Sequence, residues 1–511
     1  MLINSIILEN FRGYSSRQVI DLSNFTAFVG RNDVGKSTIL EALDIFFNEG
    51  LGPIKLDSSD VNIEARNNSN GSNIDIIIGV TFKDLPETVI LDENNTTTLN
   101  EEYLLDSNQH LTILKRYPNG GKPKVFIYAY HPSNNNCNDL LSKKQADLRK
   151  LTEGYDCDRN KNAEMRKAIR NANIGNLNLM MQEIDVSKED AKNIWEKLKE
   201  YMPVYSLFQA DRSNGDKDRE VQDPLKEAVK KIMMSEEIKA QCQRIYELVM
   251  NELDEVSNRT LQKISEMNPN LASTLHPTMP AVSDLKWTDV FKNVSITGDN
   301  DIPINKRGSG VKRLVLLNFF RAEAERTQQN SNAPGIIYAI EEPETSQHVD
   351  HQLLLISSLI SLSQAPNTQV LITTHSSNIL KALTVPNIRL IRDTNNGKAV
   401  EMVANSLFPS PSLNEIAFTA FGETTEEYHN ELYSFIEYNS WKNDYDNGRA
   451  KVNYIKLKNG QPIQQQITMT EYIRHQIHHA DNTLNPRYSA HDLSQSINDM
   501  RSFIEGKIQN P

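Results

Sequence analysis

Short apolar runs cut by polar turns dominate the first quarter of the chain, and longer stretches with apolar residues every three or four positions dominate the middle and the end. Residues 2–8 (Leu-Ile-Asn-Ser-Ile-Ile-Leu) alternate enough to form a strand, and Arg17 to Leu22 form a second. Asn10 to Tyr14 is the turn between them, and an aromatic there, Phe11 or Tyr14, is placed to stack on a bound base or to pack the turn. The continuous run Phe25 to Val29 reads as a short buried strand, and Ile39 to Phe47 has helical spacing. Ile74 to Phe82, Leu111 to Arg116 and Lys124 to Tyr130 supply further strands, with a hairpin turn near Gly120-Gly121. The expected order is strand, loop and helix, followed by an antiparallel meander.

Further on, residues 136–200 are polar and expected to be largely helical, and Val204 to Phe208 is an apolar run. A long helical tract runs from Pro224 to about Met267, and Val290 to Thr297 is a strand candidate. Gly335 to Ile340 and Thr368 to Thr373 read as buried strands. Residues 412–437 are helical, and a polar, turn-prone stretch continues to about Asn459. The pattern predicts an α/β fold: a head with a mixed sheet flanked by helices and an antiparallel meander. Residues 1–135 and 285–400 form its two halves, 136–284 a mostly helical insertion, and 401–511 a mainly helical C-terminal region.

Length and charge narrow the class. A chain of 511 residues is too long for one core. Its formal net charge of −12 argues against a uniformly basic nucleic-acid binder, so such contacts need a local patch or a partner. Cys137, Cys157 and Cys242 are scattered, which fits a reducing cytoplasm and gives no C-x-x-C zinc pair. No uninterrupted apolar span reaches transmembrane length, so no membrane association is expected.

The strongest chemical signal is Gly30-Arg31-Asn32-Asp33-Val34-Gly35-Lys36-Ser37-Thr38, a G-x4-G-K-S loop between a strand and a helix. Such a loop turns its amides inward around phosphates, and the helix N-terminus adds its positive dipole end. Lys36 is expected on the β- and γ-phosphates of ATP, and Ser37 on Mg²⁺. Asp57 and Asp60 lie in a polar loop from which a carboxylate could also reach the metal. Ile336 to Ile340 ends in Glu341-Glu342-Pro343-Glu344. Neighbouring strand residues point to opposite sides, so Glu341 is assigned to the metal and Glu342 to the attacking water. Thr374-His375-Ser376 closes the next strand, where His375 is placed to bond the γ-phosphate. Arg307-Gly308-Ser309-Gly310 is a glycine turn opening a helix, a further anion site.

Taken in order, these four segments resemble ABC-type ATPases of the OLD class, relatives of the chromosome-maintenance and recombination heads. The resemblance covers roughly residues 1–90 and 285–400. It implies a homodimer or higher oligomer that sandwiches ATP between heads, with Ser309 and Gly310 of the Arg307–Gly310 signature contacting the γ-phosphate in trans. OLD nucleases add a Toprim domain whose metal site needs an apolar strand ending in D-x-D. Asp444 and Asp446 have the spacing but lie in a polar turn. The chain therefore looks more like the ATPase subunit of two-gene antiphage systems such as Septu, which works with a separate HNH nuclease.

The tail carries a rival signal. Arg474 to His479 resembles the R-x4-6-H motif of HEPN ribonucleases, in which a dimer joins two such motifs to cut RNA without metal. A partner-docking helix explains the same string. A DNA-repair or chromosome-maintenance clamp is the third reading.

Overall fold

The fold is taken from a computed structural model that describes residues 1–68, 74–92, 95–187, 191–209, 232–233, 235–267, 335–345, 348–394, 397–403, 406–458 and 461–509. The expected strand Val290 to Thr297 and the Arg307–Gly310 turn lie outside the described residues. Two six-stranded sheets carry the front of the molecule. The strands of the first are β1 (Leu2–Glu9), β2 (Gln18–Asp21), β4 (Asp75–Lys83), β7 (Leu111–Pro118), β8 (Lys124–Pro132) and β9 (Leu179–Asp185). They run β2-β1-β4-β7-β8-β9 and pair antiparallel throughout. The small hairpin β5 (Val89–Asp92) and β6 (Asn95–Thr97) stands beside them.

The second sheet holds β3 (Phe25–Val29), β10 (Val204–Phe208), β11 (Ile336–Glu341), β12 (Thr368–Thr374), β13 (Ile388–Thr394) and β14 (Gly397–Met402). Its order is β10-β11-β12-β3-β13-β14; the first five are parallel and β14 is an antiparallel edge. Parallel strands bury both faces, which is why these runs are apolar without interruption. Alternation divides them: Ile337, Ala339, Leu371 and Phe28 face one core, while Ile336, Tyr338, Ile340, Val370 and Ile372 face the other.

The longer helices are α1 (Lys36–Asn48), α2 (Asn162–Ala172), α3 (Ala191–Lys199), α4 (Glu236–Met267), α5 (Val349–Ser363), α6 (Leu413–Phe421), α7 (Glu426–Tyr438), α8 (Met469–His478) and α9 (Ala490–Gln509). Ile39, Leu43 and Phe46 of α1 share the first core with Ile6 of β1, Ile78 of β4 and Ala339 of β11, so α1 is the layer between the two sheets. Fully burying each such side chain contributes about 1.5–3 kcal/mol. α5 and α6 cover the outer face of the parallel sheet. A separate core of Leu432, Ile436, Ile473, Ile497 and Met500 unites α7, α8 and α9.

Two expectations need correction. Residues 136–200 are not largely helical: β9 lies within them and extends the antiparallel sheet. Its side chains are mostly half-buried, so a polar edge strand hid its alternation. The turn-prone stretch before Asn459 holds a short helix, Lys442–Asp446, and the strand β15 (Lys451–Lys458), which pairs with β16 (Gln461–Thr468). The C-terminal region is helical with one hairpin.

Candidate active site

Each expected strand end arrives at one edge of the parallel sheet. Val29 pairs with Thr374, and Glu341 with Thr373, so the phosphate loop, His375 and Glu342 sit at the C-terminal ends of three adjacent strands. That edge is where open α/β sheets receive ligands. Gly30 begins the loop because nothing larger fits: a Cβ there would come 2.8 Å from Val34 and 2.9 Å from the Ile391 carbonyl. Gly35 caps α1 at φ 97° without a side-chain hydrogen bond, and the first turn holds no acid. The helix start therefore presents amides and its positive end to an anion.

Lys36 is buried and its ammonium donates to the carbonyls of Gly30 (3.0 Å) and Arg31 (2.8 Å). Burial lowers its pKa, opposed by the nearby charges of Glu342, Glu344 and Asp33. Lysine and carboxylates thus share one electrostatic neighbourhood. Ser37 and Thr38 follow half-buried, while Arg31, Asn32 and Asp33 are exposed and Val34 is packed inward. Ser37 and Glu341 supply a hydroxyl and a carboxylate at the same sheet edge. That donor set fits Mg²⁺, which takes one or two protein oxygens and completes its shell with phosphate and water.

Glu342 breaks from the strand. Its φ is 39°, a left-handed value unusual outside glycine, and its amide donates to the Thr373 carbonyl at 3.1 Å. The turn carries its side chain to His375, whose Nδ1 lies 3.1 Å from Glu342 Oε1 and 3.6 Å from Glu344 Oε1. Glu344 is the buried member, 4% exposed, and burial raises its pKa. Its Oε1 accepts from Thr374 Oγ1 (2.7 Å) and the His375 amide (3.0 Å). Glu344 therefore positions the histidine turn, a role the sequence reading did not assign.

The structure adds residues that sequence reasoning missed. Lys398 of β14 lies across the phosphate loop: its Nζ donates to the Asp33 carbonyl at 3.2 Å and to Asp393 Oδ1 at 2.8 Å. Its stem passes close to Gly13 and Gly35, where added Cβ atoms would fall 2.6 and 2.9 Å from it. Tyr14, wholly buried, donates its hydroxyl to the Gly35 carbonyl at 3.1 Å. Phe11 is also wholly buried, so neither aromatic is available to stack on a base. Asp60 accepts from Arg12 Nε at 2.8 Å, and Asp57 caps its own turn, so these carboxylates serve the loop rather than a metal. Arg12 also pairs with Glu41 of α1.

Arg307, Gly308, Ser309 and Gly310 lie outside the described residues. Arg474 and His479 are described, and they face different neighbours. The Arg474 guanidinium lies 4.4 Å from the Tyr433 ring centroid and 3.4 Å from Glu437, both on α7. His479 lies 6.1 Å from the His475 ring, on the side of α8 that meets the hairpin. Within one chain they build no common site. Among the described residues no helix is long and apolar enough to cross a membrane, and no group of three or more ligating side chains could hold a metal.

Residues 1–380 match the family described as AAA ATPase domain. Structural maintenance of chromosomes protein 2 of Gallus gallus is 28% identical over 144 residues, which is 28% of this chain and 11% of that protein. The chain thus spans a small part of the curated relative it matches. Similar solved structures are SMC heads. One, bound to the C-winged helix domain of ScpA, is 16% identical, with 78% of this chain and 97% of that chain covered and a TM-score of 0.36. The SMC head domain from Thermotoga maritima is 13% identical, with 79% and 100% covered and a TM-score of 0.31.

Proposed function

The chain belongs to the AAA ATPase domain family, and from that premise we propose that it is a nucleotide-operated switch: two heads close on ATP, and hydrolysis reopens them. The observation that carries this reading is the meeting of Lys36, Glu342 and His375 at one sheet edge. ATP would lay its phosphates on the amides of Gly30 to Thr38. Lys36 would exchange its two loop carbonyls for phosphate oxygens. Bound Mg²⁺, held by Ser37 and Glu341, would supply charge to the β- and γ-phosphates. Glu342 takes a proton from water as the water oxygen attacks the γ-phosphorus, and the bridging oxygen leaves with ADP. His375 stabilises the γ-phosphate and signals its loss to Glu342.

The heads would pair as a homodimer or larger assembly, with Arg307–Gly310 of one lidding the nucleotide of the other. Closing on ATP favours the paired state only by the difference in ATP affinity between open and closed forms. The motif order supports a cytoplasmic antiphage ATPase of the OLD and Septu kind that gates a separate HNH nuclease. The experiment compares Lys36→Ala with Glu342→Gln. Both should lose turnover, and Glu342→Gln alone should retain ATP and remain paired by light scattering. Equal nucleotide retention in the two variants overturns the assignment. The nuclease reading is tested by inspecting the adjacent reading frame for an HNH nuclease and, where one is encoded, adding that protein, with nuclease activity expected only in the mixture; an adjacent frame that encodes none counts against the reading.

The 28% identity to a chromosome-maintenance protein favours a second reading, a DNA clamp. Duplex binding with a steep salt slope in the ATP-bound Glu342→Gln variant would support it.

A further inference from the structure

The hairpin β15–β16 and the end of α8 form one of the basic stretches of this acidic chain. Between Asp446 and Glu471 the sequence carries Arg449, Lys451, Lys456 and Lys458 and no carboxylate, although the whole protein has a net charge of −12. Arg449 is committed to Asp499 at 3.0 Å. Lys451 and Lys456 are exposed and, among the described residues, join no ion pair.

Strand alternation puts these two lysines on opposite faces of the hairpin. Lys456 shares the face of Tyr454, whereas Lys451 shares that of Asn453. Tyr454 is 2% exposed and stacks on His475, with centroids 5.1 Å apart and planes at 24°. His475 in turn lies 6.1 Å from His479, four residues on and so on the same side of α8. Burial falls along this column: Tyr454 is buried, His475 half-buried and His479 exposed. Burial lowers the pKa of His475; Glu471 opposes that shift, while His479, Lys456 and Lys442 add to it.

A ring column that ends in an exposed imidazole, packed on a hairpin face that carries an exposed ammonium, matches the chemistry of an unstacked base and its phosphate. Bases stack on any π-face, and the groove charge tracks the backbone. A duplex keeps its bases stacked internally and offers only phosphate. We propose that the Tyr454–Lys456 face of the hairpin, with His475 and His479, is a docking surface for single-stranded nucleic acid: a base extends the ring column at His479, and Lys456 holds a phosphate. This surface belongs to the chain itself and does not depend on the gating reading above.

The test uses the full-length protein and a fluorescein-labelled oligothymidylate of about 20 nucleotides, followed by anisotropy over a salt series. Saturable binding that salt weakens is expected. Lys456→Glu should weaken it by about tenfold or more, and Lys451→Glu, on the other face, by less than about twofold. His479→Ala should cost about fivefold or more, and His479→Phe should keep most of the affinity. The ATPase rate of Lys456→Glu should be unchanged. Absence of binding at low salt overturns the proposal, as do equal losses for the two lysine variants, equal losses for the two histidine variants, or equal competition by a duplex of the same length.

Discussion

His375 Nδ1 lies 3.1 Å from Glu342 Oε1, so the side chains that close two neighbouring parallel strands meet over the site. The meeting depends on a left-handed residue, Glu342 at φ 39°, and on Glu344, which anchors the histidine turn from below. Backbone in this region costs roughly 1–3 kcal/mol and persists only where its surroundings hold it. Here Thr373 holds the Glu342 amide through both its carbonyl and its hydroxyl, each at 3.1 Å.

The first prediction concerns that pair. His375→Ala should lower the rate of phosphate release by about 10²-fold or more, the usual size of a positioned proton donor or acceptor. Affinity for a fluorescent ATP analogue should change little, because the phosphate loop remains intact. If affinity and turnover fall by the same factor, His375 contributes to binding rather than to the step itself.

Lys398 gives the second. Its ammonium bonds the Asp33 carbonyl, and its stem crosses Gly13 and Gly35. Lys398→Ala removes a hydrogen bond from a charged group, worth about 1.5–3 kcal/mol, so ATP affinity should fall by about 10- to 100-fold with kcat much less affected. Gly13→Ala should act through the same lysine, since its Cβ would sit 2.6 Å from the stem. The double variant should then be no worse than Lys398→Ala alone. Additive losses would separate the two residues.

Sequence reading reached the phosphate loop, Glu341, Glu342 and His375 because each closes or follows a short apolar strand, a local pattern. It missed Lys398, which follows an ordinary glycine and meets the loop only because β14 folds back beside β13. It also missed the work of Glu344. Pro343-Glu344 reads as one more surface carboxylate, and only the packed turn reveals that it is buried under Thr374 and His375. The strands β9 and β15 escaped for a related reason. Both are polar and partly exposed, and partner strands rather than apolar alternation define them.

The third prediction is a pH dependence of stability. His131 and His429 are wholly buried, and burial lowers each from 6.5 to about 4. His429 Nε2 meets Ser496 Oγ at 3.1 Å, inside a chain of hydroxyls that continues to Thr470 and Tyr445. In the unfolded chain these imidazoles protonate near 6.5, while in the folded chain they stay neutral to about 4. Their contribution is complete above pH 6.5 and is lost as pH falls towards 4. A shift of that size corresponds to up to about 3 kcal/mol per histidine. Denaturant midpoints should therefore drop between pH 6.5 and 4, and His429→Gln should flatten that slope while lowering stability at pH 7.5. An unchanged slope would mean that His429 protonates without unfolding.

The last prediction concerns a buried charge cluster away from the ATP site. Glu102, Arg166 and Arg170 are each no more than 2% exposed. Arg166 Nη2 lies 2.7 Å from Glu102 Oε1, and Arg170 Nη1 lies 2.6 Å from Oε2. Burial opposes the charge on Glu102, yet the two guanidinium groups outweigh it and its pKa is lowered. Arg170 finds further acceptors in the carbonyls of Glu101 and Glu102, at 3.0 and 3.4 Å. Glu102→Gln keeps the shape and removes the charge, which takes the carboxylate away from two buried guanidinium groups. That should cost about 3–5 kcal/mol and lower the melting temperature by several degrees. Replacing the triad together, Glu102→Leu with Arg166→Met and Arg170→Leu, should be far milder, because no charge is left to desolvate. The two thermal scans discriminate sharply. If the triple variant is as unstable as Glu102→Gln, shape and hydrogen bonding hold α2 to the β6 loop, and the cluster's charge has no part in it.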